Sequence, residues 1–246
     1  MKDIHPNTLE VCLSPALFPY LSTQEPFVVV VVDILRATSS LCAAFSTGLK
    51  SVIPVAGLQE AKSYKAKGFP VAAERDGHIL DFADYGNSPL EYLQADLKGQ
   101  TLVYCTTNGT GAITLAKDAA ALVIGGFVNL DVLADWLLKQ QRNVVILCSG
   151  WKNQFALEDT VFAGALSEKL LETPAFVSQS DAVVASLELW HKAKPDLLGF
   201  HSKASHPQRL VDIGQDASIP YCFTLNVCNT LPGLRNGLLV DFLKDG

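Results

Sequence analysis

The sequence has few charged residues, no long run of one charge and no long apolar segment. Charged residues make up 18% of the 246 positions and hydrophobic residues 49%, which argues against a disordered chain. The formal net charge is −6 and no long basic run occurs, so we do not expect nucleic acid as the main partner. The apolar run Phe27–Val32 is far too short to span a bilayer, so we expect no membrane association.

Secretory and disulfide signals are also missing. Residues 1–10 are polar and lack the apolar core of a secretory leader, so a cytoplasmic location is expected. None of the cysteines forms a Cys-x-x-Cys pair, which favours reduced, buried thiols over a disulfide framework or a zinc site. The six cysteines are Cys12, Cys42, Cys105, Cys148, Cys222 and Cys228.

The common hydrolase motifs are absent as well. No cysteine is followed six positions later by an arginine, so the cysteine-phosphatase loop is excluded. Leu35 stands two positions after Asp33, where haloacid dehalogenase-like phosphatases carry a second aspartate. The chain has no G-x-x-x-x-G-K-[ST] loop, no H-E-x-x-H helix and no G-x-S-x-G elbow.

Short β-branched runs alternate with helical segments along the chain. This alternation predicts βαβ crossovers, and therefore an α/β fold of three α/β/α layers around a mainly parallel, or mixed, sheet. We expect one domain over residues 1–246, with an irregular excursion near 74–97. Predicted strands are 27–32, 52–55, 71–73, 102–105, 122–124 and 144–147. Predicted helices are 37–45, 58–67, 112–120, 130–140, 157–171 and 205–211, and Asn129 is the expected cap of 130–140. A further helix is capped by Ser180 and ends at 190.

The segment after the first predicted strand carries Asp33 and Arg36. Ligands of open parallel sheets bind beyond the carboxyl ends of the strands, so Asp33 has the position of a metal ligand or a nucleophile. Arg36 can direct a forked guanidinium at a phosphate or a carboxylate. The alternative is that Asp33 only caps the following helix.

A donor-rich turn follows the predicted strand 102–105. Its backbone amides and three hydroxyl groups are typical of an anion cradle, and its Asn and Gly residues permit the left-handed backbone that such a cradle requires. An ordinary turn with a helix cap is the alternative. The residues predicted to bind substrate are Thr106, Thr107, Asn108, Gly109 and Thr110.

Further candidates follow two other predicted strands. Glu74 could be a second oxygen ligand of a metal, and Arg75 could hold a second anionic group of a substrate. Asn87 lies in the irregular stretch and is a candidate substrate ligand. The adjacent carboxylates Glu158 and Asp159 open a helix, where they either ligate a metal or complement the helix dipole.

His206 is the most interesting of the five histidines, because it lies between Lys203 and Arg209. A lone histidine is more often a core or surface residue, but His206 is a candidate for the lining of the site. Carboxylates without a histidine or cysteine cluster suit a hard cation such as Mg²⁺, whereas arginine and a backbone cradle suit a phosphoryl group. Together they indicate metal-dependent phosphoryl transfer.

At these residues the sequence resembles the 2-phosphosulfolactate phosphatase family. The resemblance implies Mg²⁺-dependent hydrolysis of 2-phospho-3-sulfolactate to 3-sulfolactate and phosphate, which is a step of coenzyme M biosynthesis in organisms that make this cofactor. It also implies the compact α/β/α fold of that family. The segments that carry it are Val32–Thr38, Glu74–Arg75, Gly86–Glu91, Thr106–Thr110 and Leu157–Asp159.

Two other functions fit the same residues. One is a phosphatase or phosphotransferase that acts on a different small acid phosphate. The other is a non-catalytic module that binds an anion or a nucleotide and needs no metal. The expected partner in each case is a small anionic molecule, and the sequence is compatible with a homodimer. The nucleophile, water or Asp33, also stays open.

Overall fold

The computed structural model describes residues 6–21 and 26–244, and its strands form one mixed sheet. The strands are β1 (Asn7–Cys12), β2 (Phe27–Val32), β3 (Ser51–Pro54), β4 (Val71–Arg75), β5 (His78–Ile79), β6 (Thr101–Cys105), β7 (Ala121–Gly125), β8 (Asn143–Cys148), β9 (Phe176–Val177), β10 (Pro232–Arg235) and β11 (Leu238–Asp241). Their order in the sheet is β5-β4-β6-β3-β11-β10-β7-β2-β8-β1-β9.

The sheet consists of two parallel blocks joined by an antiparallel hairpin. Strands β7, β2, β8, β1 and β9 form one parallel block, and β3, β6 and β4 form the other. The hairpin β10–β11 lies between the blocks and is antiparallel to β7 on one side and to β3 on the other. The expected mainly parallel or mixed sheet is confirmed, and both this hairpin and the edge strand β5, antiparallel to β4, make it mixed.

Helices cover both faces of this sheet. The α-helices are α1 (Ala37–Ser46), α2 (Leu58–Ala66), α3 (Pro89–Gln94), α4 (Gly109–Leu115), α5 (Leu130–Gln140), α6 (Leu157–Leu171), α7 (Asp181–Ala193), α8 (Leu197–His201), α9 (Ser205–Asp212) and α10 (Ile219–Cys222). Short 3-10 helices occupy Pro15–Tyr20, Phe127–Asn129 and Asp216–Ser218.

The valines of β2 show why three layers form. Successive side chains of a strand point to opposite faces of a sheet. Accordingly Val28, Val30 and Val32 pack into one hydrophobic cluster with α5, α6 and α7, whereas Val29 and Val31 pack into a second cluster with α1. A strand that is buried on both faces reads as a continuous apolar run, as the sequence predicts.

Some local expectations are wrong. Helix α4 begins at Gly109, directly after the turn, and not near residue 112. Asn129 does not cap α5, because its side-chain oxygen accepts from the Gly126 amide and its nitrogen donates to the Ile124 and Thr230 carbonyls. Ser180 precedes α7 without a side-chain capping bond.

All six cysteines are free and buried, as expected. No helix in the described ranges is both long and apolar enough to cross a bilayer.

Candidate active site

A cavity of about 410 Å³ lies at the carboxyl ends of strands from both parallel blocks. Its charged lining residues are Asp33, Arg36, Glu74, Asp76, Lys152, His206, Arg209 and Asp212. Its other lining residues are Leu35, Gly77, Asn87, Asn108, Trp151, Leu210 and Ile213. The two blocks meet closely here, because a Cβ atom on Gly109, after β6, would lie 2.6 Å from Cβ of Ala37, after β2.

Asp33 lines the cavity immediately after β2. Its Oδ1 accepts a hydrogen bond of 3.2 Å from the amide of Ala37, so it does cap α1. Within the described residues no donor reaches Oδ2, which is left for a ligand. Burial raises the pKa of Asp33 to about 6, because it outweighs the opposing influence of His206 and of the Ala37 amide; nearby Glu74 and Glu158 raise it further.

Glu74 and Arg75 point to opposite sides of β4. Glu74 faces the cavity, and its carboxylate accepts from the amides of Thr107 (2.6 Å) and Gly77 (2.8 Å) and from the Thr107 hydroxyl (3.1 Å). Arg75 does not line the cavity. Its guanidinium donates to the carbonyls of Glu74 (2.7 Å) and Ala56 (3.3 Å). The expectation that Arg75 contacts the substrate is therefore not supported, because adjacent strand residues alternate in direction.

The turn 106–111 is built differently from the expected anion cradle. No residue of this fully described turn has left-handed backbone. The hydroxyls of Thr106 and Thr110 bond within the turn, and the Thr107 hydroxyl bonds to Glu74, so these groups hold the loop together. Asn108 alone among them lines the cavity, and its Oδ1 accepts from the Lys152 amide at 3.0 Å.

Gly109 is needed at this turn for close approach. A Cβ atom there would lie 3.1 Å from Oδ2 of Asp33 in addition to its contact with Ala37. The turn after β6 therefore packs directly against the carboxylate after β2. Nearby, Asn87 lines the cavity and accepts a hydrogen bond from the buried Tyr104 hydroxyl.

Glu158 and Asp159 are buried in the first turn of α6, but neither lines the cavity. Asp159 accepts from the amides of Ile34 and Gly150, each at 2.9 Å, and so ties the loop after β2 to the loop after β8. Glu158 Oε1 lies 2.5 Å from His206 Nδ1. Burial opposes ionisation of Glu158, but the hydrogen bond and charge of His206 outweigh it and lower the pKa of Glu158.

The opposite wall combines the loop after β8 with helix α9. The Trp151 ring lies 5.3 Å from the His206 ring and 4.6 Å from the Arg209 guanidinium, measured to the Trp151 ring centre. Lys152 Nζ pairs with Asp76 at 2.8 Å. Of this wall, sequence reasoning put forward His206 as a site residue and Arg209, beside it, only as an alternative contact for the sulfonate. Trp151 and Lys152 were given no role, because their approach depends on how distant segments pack.

The buried carboxylates meet part of what a hard cation requires. The described residues contain no group of three or more histidine, cysteine, aspartate or glutamate side chains that could hold a metal ion. Mg²⁺, however, is usually bound by one or two carboxylates together with water and substrate phosphate. Asp33, with its free Oδ2, and Glu74 fit this smaller set. Asp159 and Glu158 fit it less well, since neither lines the cavity. Glu74 does line it, although both of its oxygens also accept hydrogen bonds from the protein.

The same chain matches known proteins over most of its length. A family model described as 2-phosphosulpholactate phosphatase matches residues 12–237. This chain belongs to that family. The family consists of phosphoric monoester hydrolases, and the match confirms the resemblance found in the sequence motifs.

Several curated relatives carry the name "Probable 2-phosphosulfolactate phosphatase". One from Carboxydothermus hydrogenoformans is 37% identical, over 89% of this chain and 92% of the relative. One from Synechocystis sp. is 35% identical over the same shares. One from Caldanaerobacter subterraneus subsp. tengcongensis is 34% identical, over 86% of this chain and 89% of the relative.

Proposed function

We propose that this protein is a Mg²⁺-dependent phosphatase that hydrolyses 2-phospho-3-sulfolactate to 3-sulfolactate and phosphate. The observation that carries the proposal is the cavity, in which Asp33 leaves one carboxylate oxygen free beside Arg36 and His206, in a member of this phosphatase family. The substrate bears a phosphate ester next to a carboxylate and a sulfonate, so it needs several cationic contacts.

Two sets of cationic side chains can bind different anionic groups of the substrate. Arg36 lies beside Asp33 and is held by Gln215, whose Oε1 accepts from Arg36 Nη1 at 2.8 Å. We assign the phosphoryl oxygens to Arg36, since a guanidinium binds them in a bidentate manner. Arg209 and Lys152 lie on the opposite wall, where they can bind the sulfonate and carboxylate.

Asp33 and Glu74 would hold Mg²⁺ together with water and the substrate phosphate. When bound, the ion neutralises charge on the phosphoryl group. The protein supplies the rest: Arg36 orients the phosphoryl oxygens, and the buried walls exclude bulk water from the ester. Either water or Asp33 Oδ2 attacks phosphorus, and both routes release the same products.

Phosphate release from a panel of esters tests this function. We expect 2-phosphosulfolactate to be hydrolysed with a higher kcat/KM than phosphoglycolate, 2-phosphoglycerate or a nucleoside monophosphate. EDTA should abolish the activity, and Mg²⁺ should restore it. No phosphate release from any ester would indicate a non-catalytic binding module. Preference for another ester would overturn the assignment of 2-phosphosulfolactate as the substrate. Full activity after exhaustive chelation would exclude a metal ion from the mechanism.

A further inference from the structure

A buried glutamate fixes the ring of His206 at the cavity wall. Glu158 is 1% exposed and His206 is 7% exposed, and the distance between Oε1 and Nδ1 is 2.5 Å. Two such atoms approach this closely only with a proton between them, and a carboxylate oxygen accepts it, so Nδ1 donates to Glu158. Nε2 then lies on the far side of the ring, and nothing in the described parts of the chain hydrogen-bonds to it.

The groups around this ring leave room for a ligand at Nε2. Trp151 packs against the ring at 5.3 Å between ring centres, and Asp33 lines the same cavity as His206. Arg209 lies almost one helical turn further along α9, with its guanidinium 4.6 Å from the centre of the Trp151 ring. Since His206 and Asp33 line the same cavity, an Nε2 without a protein partner is available to a ligand bound there.

Glu158 differs from the other buried carboxylates of the site. Glu74 and Asp159 each use both oxygens to accept from backbone amides, and this holds loops in place. Glu158 instead directs an oxygen at a side chain that lines the cavity. A buried ion pair adds little net stability, because its desolvation offsets its attraction. A carboxylate that orients an imidazole is, in contrast, a common arrangement for proton transfer.

We propose that His206 is the proton donor to the leaving group and that Glu158 is the positioning residue that sets its tautomer. This inference rests on the proposed phosphatase function. In the step, the oxygen of water bonds to phosphorus while the bond from phosphorus to the ester oxygen breaks. The ester oxygen keeps the electron pair and takes the proton from Nε2, which releases the alcohol. The phosphate leaves the step as H₂PO₄⁻ and returns one proton to Nε2. If Asp33 attacks first, the same donor serves the first half of the reaction.

Chemical rescue tests the role of His206. His206→Ala should lower kcat for 2-phosphosulfolactate by roughly 100-fold or more, the usual contribution of a general acid. Added imidazole should then restore turnover in proportion to its concentration, because it can occupy the vacated volume and donate the same proton. His191→Ala is the matched control, since His191 also pairs with a glutamate, Glu168, but is exposed and lies outside the cavity. It should match the parent and not respond to imidazole.

Glu158→Gln tests the positioning role. Glutamine still accepts from Nδ1–H but has no charge to stabilise the imidazolium, so the alkaline limb of the kcat/KM profile should move to lower pH. Glu168→Gln should leave the profile in place. If His206→Ala keeps parental turnover, or stays folded and inactive without any response to imidazole, the donor assignment is wrong. An unshifted profile for Glu158→Gln overturns the positioning role. A parent enzyme that releases no phosphate would instead overturn the proposed function itself.

Discussion

Strand geometry decides which of two adjacent residues at the end of β4 can reach the substrate. Glu74 faces the cavity, so Arg75 is directed away and bonds to backbone carbonyls. We propose that the positive charge for the remote acid of the substrate comes instead from Arg209, which is stacked on Trp151 and has a buried Nε without a partner in the described chain.

Exchanging these arginines separately tests that assignment. Arg209→Gln removes one charge-assisted contact and should raise KM for 2-phosphosulfolactate by roughly 10- to 100-fold, with a smaller effect on kcat. Arg75→Gln, the matched control, should leave KM close to the parental value. Steady-state kinetics of both variants decide the question. A larger rise in KM for Arg75→Gln than for Arg209→Gln would contradict the assignment.

Gly109 and Gly111 differ only in what surrounds them. Gly109→Ala places a methyl group 2.6 Å from Cβ of Ala37 and 3.1 Å from Oδ2 of Asp33. We expect a loss of roughly 1 to 3 kcal/mol in the free energy of unfolding and a marked fall in kcat, because the turn must move away from Asp33. Gly111→Ala meets no atom within 4 Å and should be neutral or slightly stabilising. Urea unfolding and phosphate release measure both effects, and equal behaviour of the two variants would refute the packing argument.

At the scale of elements, a polar cluster joins α6 to α7. Glu168 of α6 accepts from Trp190 (2.8 Å), His191 (3.1 Å) and Lys194 (2.7 Å) at the end of α7. Partial burial opposes ionisation of Glu168, but the hydrogen bonds from Lys194 and Trp190 outweigh it, and the pKa of Glu168 is lowered. The cluster therefore stabilises the fold above the unfolded-state pKa, and this contribution is lost as the pH falls through the lowered pKa.

Glu168→Gln should thus cost stability mainly at neutral pH. We expect a loss of about 1 kcal/mol in the free energy of unfolding at pH 7, because the ionic partners of Glu168 are partly exposed. The difference from the parent should shrink as the pH is lowered toward 3. Denaturant titrations at several pH values provide the measurement. A difference that is constant over this range would show that the charge of Glu168 does not contribute.

At the scale of the whole molecule, the sequence predicts the helices of the outer layers better than the strands of the sheet. Long periodic segments such as α5 and α6 have the predicted bounds, because their apolar positions and flanking residues agree. The central hairpin was missed although Asn236 and Gly237, both with positive φ, carry a strong hairpin signal. The short edge strands β5 and β9 have two residues each and leave no pattern to read.

The site could be predicted where chemistry follows a strand, and not where it depends on packing. Asp33 and Asn108 follow buried strands, Glu74 is the penultimate residue of β4, and all three line the cavity. Arg75 could have been excluded from strand alternation alone. Trp151 and Lys152 could not have been found in this way, because nothing local brings the loop after β8 to helix α9.

The activity of Asp33→Asn tests the central claim most directly. Asparagine keeps the oxygen that caps Ala37 but loses the charge, so the protein should unfold at no lower temperature than the parent. Burial already makes the charge of Asp33 costly, as its raised pKa indicates. We predict that kcat/KM for phosphate release from 2-phosphosulfolactate falls by roughly 100-fold or more, while Asp181→Asn, in the first turn of α7 and outside the cavity, matches the parent. A folded Asp33→Asn variant with parental activity would contradict the account.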